Sequence, residues 1–246
     1  MAIGSRSYAR PYASGGGLPL GIKALLIINT VLFLGAFFLR GALGSVLSYL
    51  VLTPAAVVHS LAIWQLVTYQ FLHFGVLQFV FNMLALWMFG RELEEIWGTQ
   101  RFLRFYFLCG GGAGVCVVAA GYLFGAADSA VVGSSGAIYG ILAASAALWP
   151  EREVLFFFFP MKMKFFVLLI AAVDFLLSYG SVVYIALLTG LLFGYLYVKY
   201  PLGKRSSFDP LASMQAAYRQ WKLQRAKRKF QVYLRKNGSD RDRFVN

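Results

Sequence analysis

What most constrains this chain is the rhythm of its apolar runs. Six stretches, at residues 20–40, 64–90, 102–124, 135–149, 163–179 and 182–200, are almost free of charge. Short segments between them hold nearly all the lysine and arginine. A run of about 20 apolar residues matches the ~30 Å hydrocarbon thickness of a bilayer as a helix. With 59% hydrophobic and 13% charged residues, the chain carries far less charge than a soluble domain of 246 residues. The pattern predicts an all-α polytopic membrane protein of six transmembrane helices. The fourth run is short for a span and follows a Gly-Ser turn, so its helix is expected to start inside the protein, where irregular backbone can line a cavity.

The distribution of basic residues orients the spans. Segments 1–23, 91–104, 151–164 and 198–246 are basic, while 41–63, 125–134 and 180–181 hold no lysine or arginine and Arg40 stands at one edge. The positive-inside rule then predicts that both termini are cytoplasmic and that the Gly133-Ser134-Ser135-Gly136 turn faces the outer side. The chain divides into a cytoplasmic arm at 1–19, a membrane domain at 20–200 and a basic tail at 201–246. The arm is rich in Gly, Ser and Arg without an apolar core, so no cleavable signal peptide is expected. Between the first and second runs, segment 41–63 is a long, uncharged, apolar loop, expected to lie in the outer interface or partly re-enter the bilayer.

The formal net charge of +13 is concentrated in the tail, where twelve Lys or Arg face three Asp between Pro201 and Asn246. Beside a membrane, such a tail is expected to contact anionic lipid, and no module for nucleic acid accompanies it. Residues 211–234 read as a basic amphipathic helix. Cys109 and Cys116 are seven apart in one apolar run, about 10 Å along a helix, too far for a disulfide. They are expected to be packing residues.

Small residues recur at four-residue spacing: Gly110 and Gly114, Gly136 and Gly140, Gly190 and Gly194. Such pairs let helix backbones approach closely in lipid. They predict a tight bundle with the fourth and sixth helices in contact. Ser135 lies at the start of the fourth helix, where a helix N-terminus favours developing negative charge. Two readings of it stand: a helix cap, or a nucleophile in a cavity. Leu187 is three residues before Gly190 and shares its face, so a base for Ser135 would be sought there. The residue is apolar.

The second run holds Gln65, Gln70, His73, Gln78 and Asn82. Gln78 and Asn82 are four apart, and their amides could hold an oxyanion or join helices by hydrogen bonds. His73, offset by five from Gln78, is expected to point elsewhere as a structural group. Asp174 stands alone in the fifth run, close to its outer end. The charged stretch ELEEIWGTQRFLRFY, residues 92–106, reads as a structural loop.

These motifs together resemble the rhomboid family of intramembrane serine proteases in its minimal six-helix, bacterial-type form. The resemblance rests on WQLVTYQFLH leading into FNMLALWMFG, on LEEIWG followed by RF and FY, on GSSGAIYG, and on ALLTGLLFGYLY. It covers about residues 20–200. It implies that Ser135 is the catalytic serine and that Gln78 and Asn82 support the oxyanion. It also implies that Tyr139 stacks beneath the base and that Gly133, Gly136, Gly140, Gly190 and Gly194 pack the turn and its helices. In two places the sequence departs from the family: Leu187 occupies the position of the histidine base, and Gln78 that of a second histidine. A glutamine keeps an amide donor, but a leucine can neither take nor return a proton. The resemblance therefore implies a proteolytically impaired or inactive pseudoprotease that binds transmembrane clients. An active endopeptidase cutting such clients near the outer face is the alternative. Neither a metal nor an organic cofactor is expected. A bacterial inner membrane is the expected location.

Overall fold

The computed structural model describes residues 17–156, 159–177 and 181–200. The arm up to residue 16 and the tail, including the helix expected at 211–234, lie outside the described residues. Among the described residues, ten α-helices and one two-stranded sheet follow in order: α1 Leu20–Phe38, α2 Arg40–Leu50, α3 Pro54–His59, α4 Gln65–Thr68, α5 Val76–Ala85, α6 Arg91–Trp97, α7 Thr99–Leu123, α8 Ser135–Leu148, β1 Glu153–Phe156, β2 Phe159–Lys162, α9 Met163–Leu177 and α10 Val183–Lys199. Helices α1 and α7 are long and apolar enough to cross a membrane, and α8 and α10 are shorter apolar helices.

The second run departs from expectation. It is not one helix over 64–90. Helix α4 and a 3₁₀ turn at Tyr69–Phe71 end where Leu72 becomes extended, and the chain resumes at Gly75 with α5. The two parts are bent by 97°. Apolar periodicity continues across Leu72, His73 and Phe74, so the sequence pattern hides the break. Beyond it, α5 runs through a π-helical turn at Leu86–Gly90 into α6. A Cβ on Gly90, in that turn, would stand 2.8 Å from the tip of Ile22 of α1.

The segment 41–63 is also more ordered than an apolar loop. It contains most of α2 and all of α3, and an isolated bridge ties Leu52 to Val131. Tyr49, Leu61 and Ile63 remain exposed, the pattern of a segment lying against lipid. Between α8 and α9 an antiparallel hairpin pairs Glu153 with Lys162 and Val154 with Met161, an element that the basic loop composition did not predict.

The main core gathers Leu86, Leu93, Phe102, Phe105, Tyr106, Ile141 and Met163 from five elements. At its basic end it is fastened by Glu94, a buried carboxylate in the stretch read as a structural loop. Glu94 accepts the backbone N–H of Gly21 at 2.8 Å and of Ile22 at 2.7 Å, and the hydroxyl of Thr99 at 2.6 Å. Helix α1 has no side-chain cap of its own, since Pro19 precedes it. Glu94 thus satisfies two of the unpaired donors at the start of α1 from another helix, and its charge complements that helix end. Replacing Glu94 by alanine is expected to lower unfolding stability by about 2–3 kcal/mol, with glutamine costing less. Thermal unfolding in detergent micelles measures both.

The hairpin carries a pH-sensitive contact outside the spans. Glu151 accepts from Lys162 at 2.7 Å and also from Lys164. Hydrogen bonds from these two ammonium groups push its carboxyl down to about 2. A lowered folded-state value means that the contribution is complete above the unfolded carboxylate value, about 4.3, and is lost as pH falls toward 2. Because the groups are exposed, the effect on global stability is expected to be small. A carbon-detected NMR titration should place the Glu151 midpoint well below that of a free glutamate, and Lys162→Ala should move it upward.

Candidate active site

Helices α8 and α10 run side by side from a shared end, and their backbones touch through glycine. A Cβ on Gly190 would lie 2.2 Å from the carbonyl oxygen of Gly136, and one on Gly194 would lie 2.2 Å from that of Gly140. The opposite side of α8 packs on α7 just as closely. Gly136 faces Ala113 and Gly140 faces Cys109, each leaving no space for a methyl group. Both cysteines are free, and Cys109 is buried in this contact. Every residue of α8 from Ser135 to Ser145 is buried.

The turn that opens α8 is fixed from the second-helix region. Gly133 has φ +112°, a conformation that disfavours side chains, and the Gln78 amide nitrogen is only 2.6 Å from where its Cβ would be. Gln78 donates to the carbonyl of Val132 at 3.4 Å. Ser134 holds the N-cap position and Ser135 is the first helical residue; neither caps the helix with its side chain. The capping reading of Ser135 is therefore not what the structure has. Its hydroxyl makes no hydrogen bond to a described side chain, and it is 8% exposed.

The neighbouring Ser134 is fully buried and has a partner that spacing did not foresee. His73 Nε2 lies 3.3 Å from the Ser134 hydroxyl, 3.5 Å from the Ser134 backbone nitrogen and 3.1 Å from the Asn82 amide nitrogen. Two of these neighbours can only donate, which makes Nε2 the acceptor and assigns the proton to Nδ1. The five-residue offset from Gln78 placed His73 on another face of a continuous helix. The break at residues 72–75 folds it back toward the turn instead. The clue lay in FLHFG, where Gly75 follows His73 by two residues. His73 consequently belongs to the candidate site, and Asn82 is engaged with it. The lone pair of Nε2 is already shared by Asn82, so the cluster ties the glycine turn to the broken helix.

Leu187 is buried on α10 between Ala186, whose carbonyl faces Gly136, and Gly190. Both described histidines lie elsewhere, His73 against Ser134 and His59 in segment 41–63. His59 is on α3, edge-on to Tyr122 with ring centroids 6.0 Å apart. Tyr139, one turn after Ser135, is buried and sends its hydroxyl to Asp174 of α9 and, at 3.4 Å, toward the Ile170 carbonyl. Asp174 is thus tied to the same helix as Ser135. Among the described residues no cluster of three or more His, Cys, Asp or Glu could hold a metal ion.

A helical, largely apolar bundle whose short central helix starts at a buried Gly-Ser-Ser-Gly turn defines an integral membrane protein built around that turn. The family model for the rhomboid domain matches residues 60–204, and the chain belongs to the rhomboid family. It is 41% identical over 81 residues to rhomboid protease GluP of Bacillus subtilis, covering 33% of this chain and 15% of that protein. It is 33% identical over 142 residues to the mitochondrial rhomboid protein 1 of Saccharomyces cerevisiae, covering 52% and 37%. To rhomboid-like protein 19 of Arabidopsis thaliana it is 27% identical over 161 residues, covering 62% and 52%. The matched regions span between about a seventh and a half of these relatives' own lengths.

Proposed function

We propose that this rhomboid-family chain is a pseudoprotease: a six-span protein of a bacterial inner membrane, both termini cytoplasmic, that binds transmembrane clients without cutting them. One observation carries the reading. The hydroxyl of Ser135 makes no hydrogen bond among the described residues, and the position three residues before Gly190, where the resemblance expects a base, is the buried Leu187. A serine hydroxyl near neutral pH is a poor nucleophile unless a base takes its proton, and the leaving amine needs that proton back. The engagement of Gln78 with Val132 and of Asn82 with His73 adds to this, because both amides have partners before any oxyanion forms. The basic tail would hold the protein against anionic lipid.

The alternative is an active endopeptidase, favoured by relatives that are named as proteases. In it Ser135 would attack a client carbonyl, with charge developing toward Gln78, Asn82 and backbone amides. The two readings separate in proteoliposomes carrying a photo-crosslinkable transmembrane client. Crosslinking to the client without its cleavage is the expected result. Cleavage that disappears in Ser135→Ala would overturn the proposal.

A further inference from the structure

Asp174 is an acidic side chain in an apolar helix with one described partner. The Tyr139 hydroxyl donates to its Oδ2, while a carboxylate offers about four acceptor positions on its two oxygens. The ion pairs of the described residues, Arg91–Glu95, Arg152–Glu92, and Lys162 and Lys164 with Glu151, all lie at the opposite end of the bundle. Lys164, on α9 itself, is ten residues away, about 15 Å along the helix. A carboxylate in a low-dielectric setting without a cation is costly, and such groups in membrane segments pair with something.

Access to it is open. Helix α9 buries Met163, Phe166 and Val167 at its first end, but from Leu168 to Leu176 none of its residues is buried, and Val173 and Leu176 beside Asp174 are exposed. The carboxyl group is held by Tyr139, whose backbone is four residues, about 6 Å of helix rise, from Ser135. An apolar helix face with a carboxyl group that has no cationic partner among the described residues fits a transmembrane helix carrying one cation at the same depth.

We propose that Asp174, steadied by Tyr139, is a specificity site that selects client transmembrane helices bearing a lysine or arginine at the level of Ser135. The cation would donate to Oδ1 while Tyr139 keeps Oδ2, and apolar side chains of the client would cover Val173 and Leu176. This rests on the client-binding reading and names the class of client.

The test uses the full chain in phosphatidylcholine vesicles and two dansyl-labelled Leu/Ala transmembrane peptides that differ only in lysine or norleucine at the matching depth. Energy transfer from the protein's tryptophans reports binding. The lysine peptide is expected to bind about tenfold more tightly, the scale of one polar contact in a bilayer. Asp174→Asn should bring it down to the norleucine level, and Asp174→Glu should retain the preference. Equal binding of both peptides by the unaltered chain, or a lysine advantage that survives Asp174→Asn at an unchanged melting temperature, would overturn the specificity site alone. Binding of neither peptide would remove the client-binding reading, and this site with it.

Discussion

Gly190→Ala is expected to cost about 3 kcal/mol or more of unfolding stability, and Gly194→Ala a similar amount. In each case the new methyl group would meet a backbone carbonyl oxygen of α8 at 2.2 Å. A flexible side chain could swing aside from such a contact, but a carbonyl within a helix cannot. Relief requires α8 and α10 to separate, opening the contact along Gly136 and Gly140. Overpacking of ordinary cores costs about 1–3 kcal/mol, and a backbone-to-backbone obstruction belongs at or above the top of that range. Gly35→Ala in α1 is the control, because nothing lies within 4 Å of the added carbon. It should leave the melting temperature unchanged or raise it slightly, since alanine favours helix. Thermal unfolding of the three variants in the same detergent measures the contrast. Equal behaviour of Gly190→Ala and Gly35→Ala would mean that the α8–α10 contact is looser than described.

The second large effect concerns chemistry. Leu187→His is expected to raise cleavage of a generic rhomboid substrate from background by about three orders of magnitude or more, the scale on which a serine–histidine pair depends on its base. Residue 187 shares a helix face with Gly190, which stands against Gly136 beside Ser135. An imidazole introduced there therefore points into the seam beside the serine. The gain should vanish when Ser135→Ala is added. The tie of Asn82 to His73 sets an upper limit on the gain, because an amide already engaged is less free to meet an oxyanion.

Much of this arrangement is legible in the sequence. The spans expected at 20–40, 102–124, 135–149, 163–179 and 182–200 correspond to helices within a few residues of the same limits. Long apolar runs with charged ends leave a chain few choices in lipid, because every backbone polar group must be satisfied within the segment. The glycine spacing pointed to close approach of the fourth and sixth helices, and the structure has Gly136 against Gly190 and Gly140 against Gly194. What escaped was set by long-range partners rather than by local pattern. The second run breaks at Leu72–Gly75 although its apolar character is continuous, so helical spacing alone puts His73 on a different face from the one it occupies. Glu94 caps a helix 72 residues earlier in the chain, and no local signal marks such a tie. The hairpin at 153–162 is too short for its alternation to stand out beside a run of phenylalanines. Asp174 was visible as an anomaly, while its link to Tyr139 needed the packing of α9 on α8.

The central claim is that Ser135 has no base, and its most direct measurement is the reactivity of that hydroxyl. The unaltered chain and Leu187→His would be treated in micelles with a fluorophosphonate, which forms a serine–phosphorus bond and expels fluoride. Peptide mass spectrometry would then locate the adduct. The expected result is no adduct on Ser135 or Ser134 in the unaltered chain and an adduct on Ser135 in Leu187→His. An adduct on Ser135 of the unaltered chain would contradict the claim, while one on Ser134 that disappears in His73→Ala would identify His73 as a working base for the other serine and overturn the pseudoprotease reading.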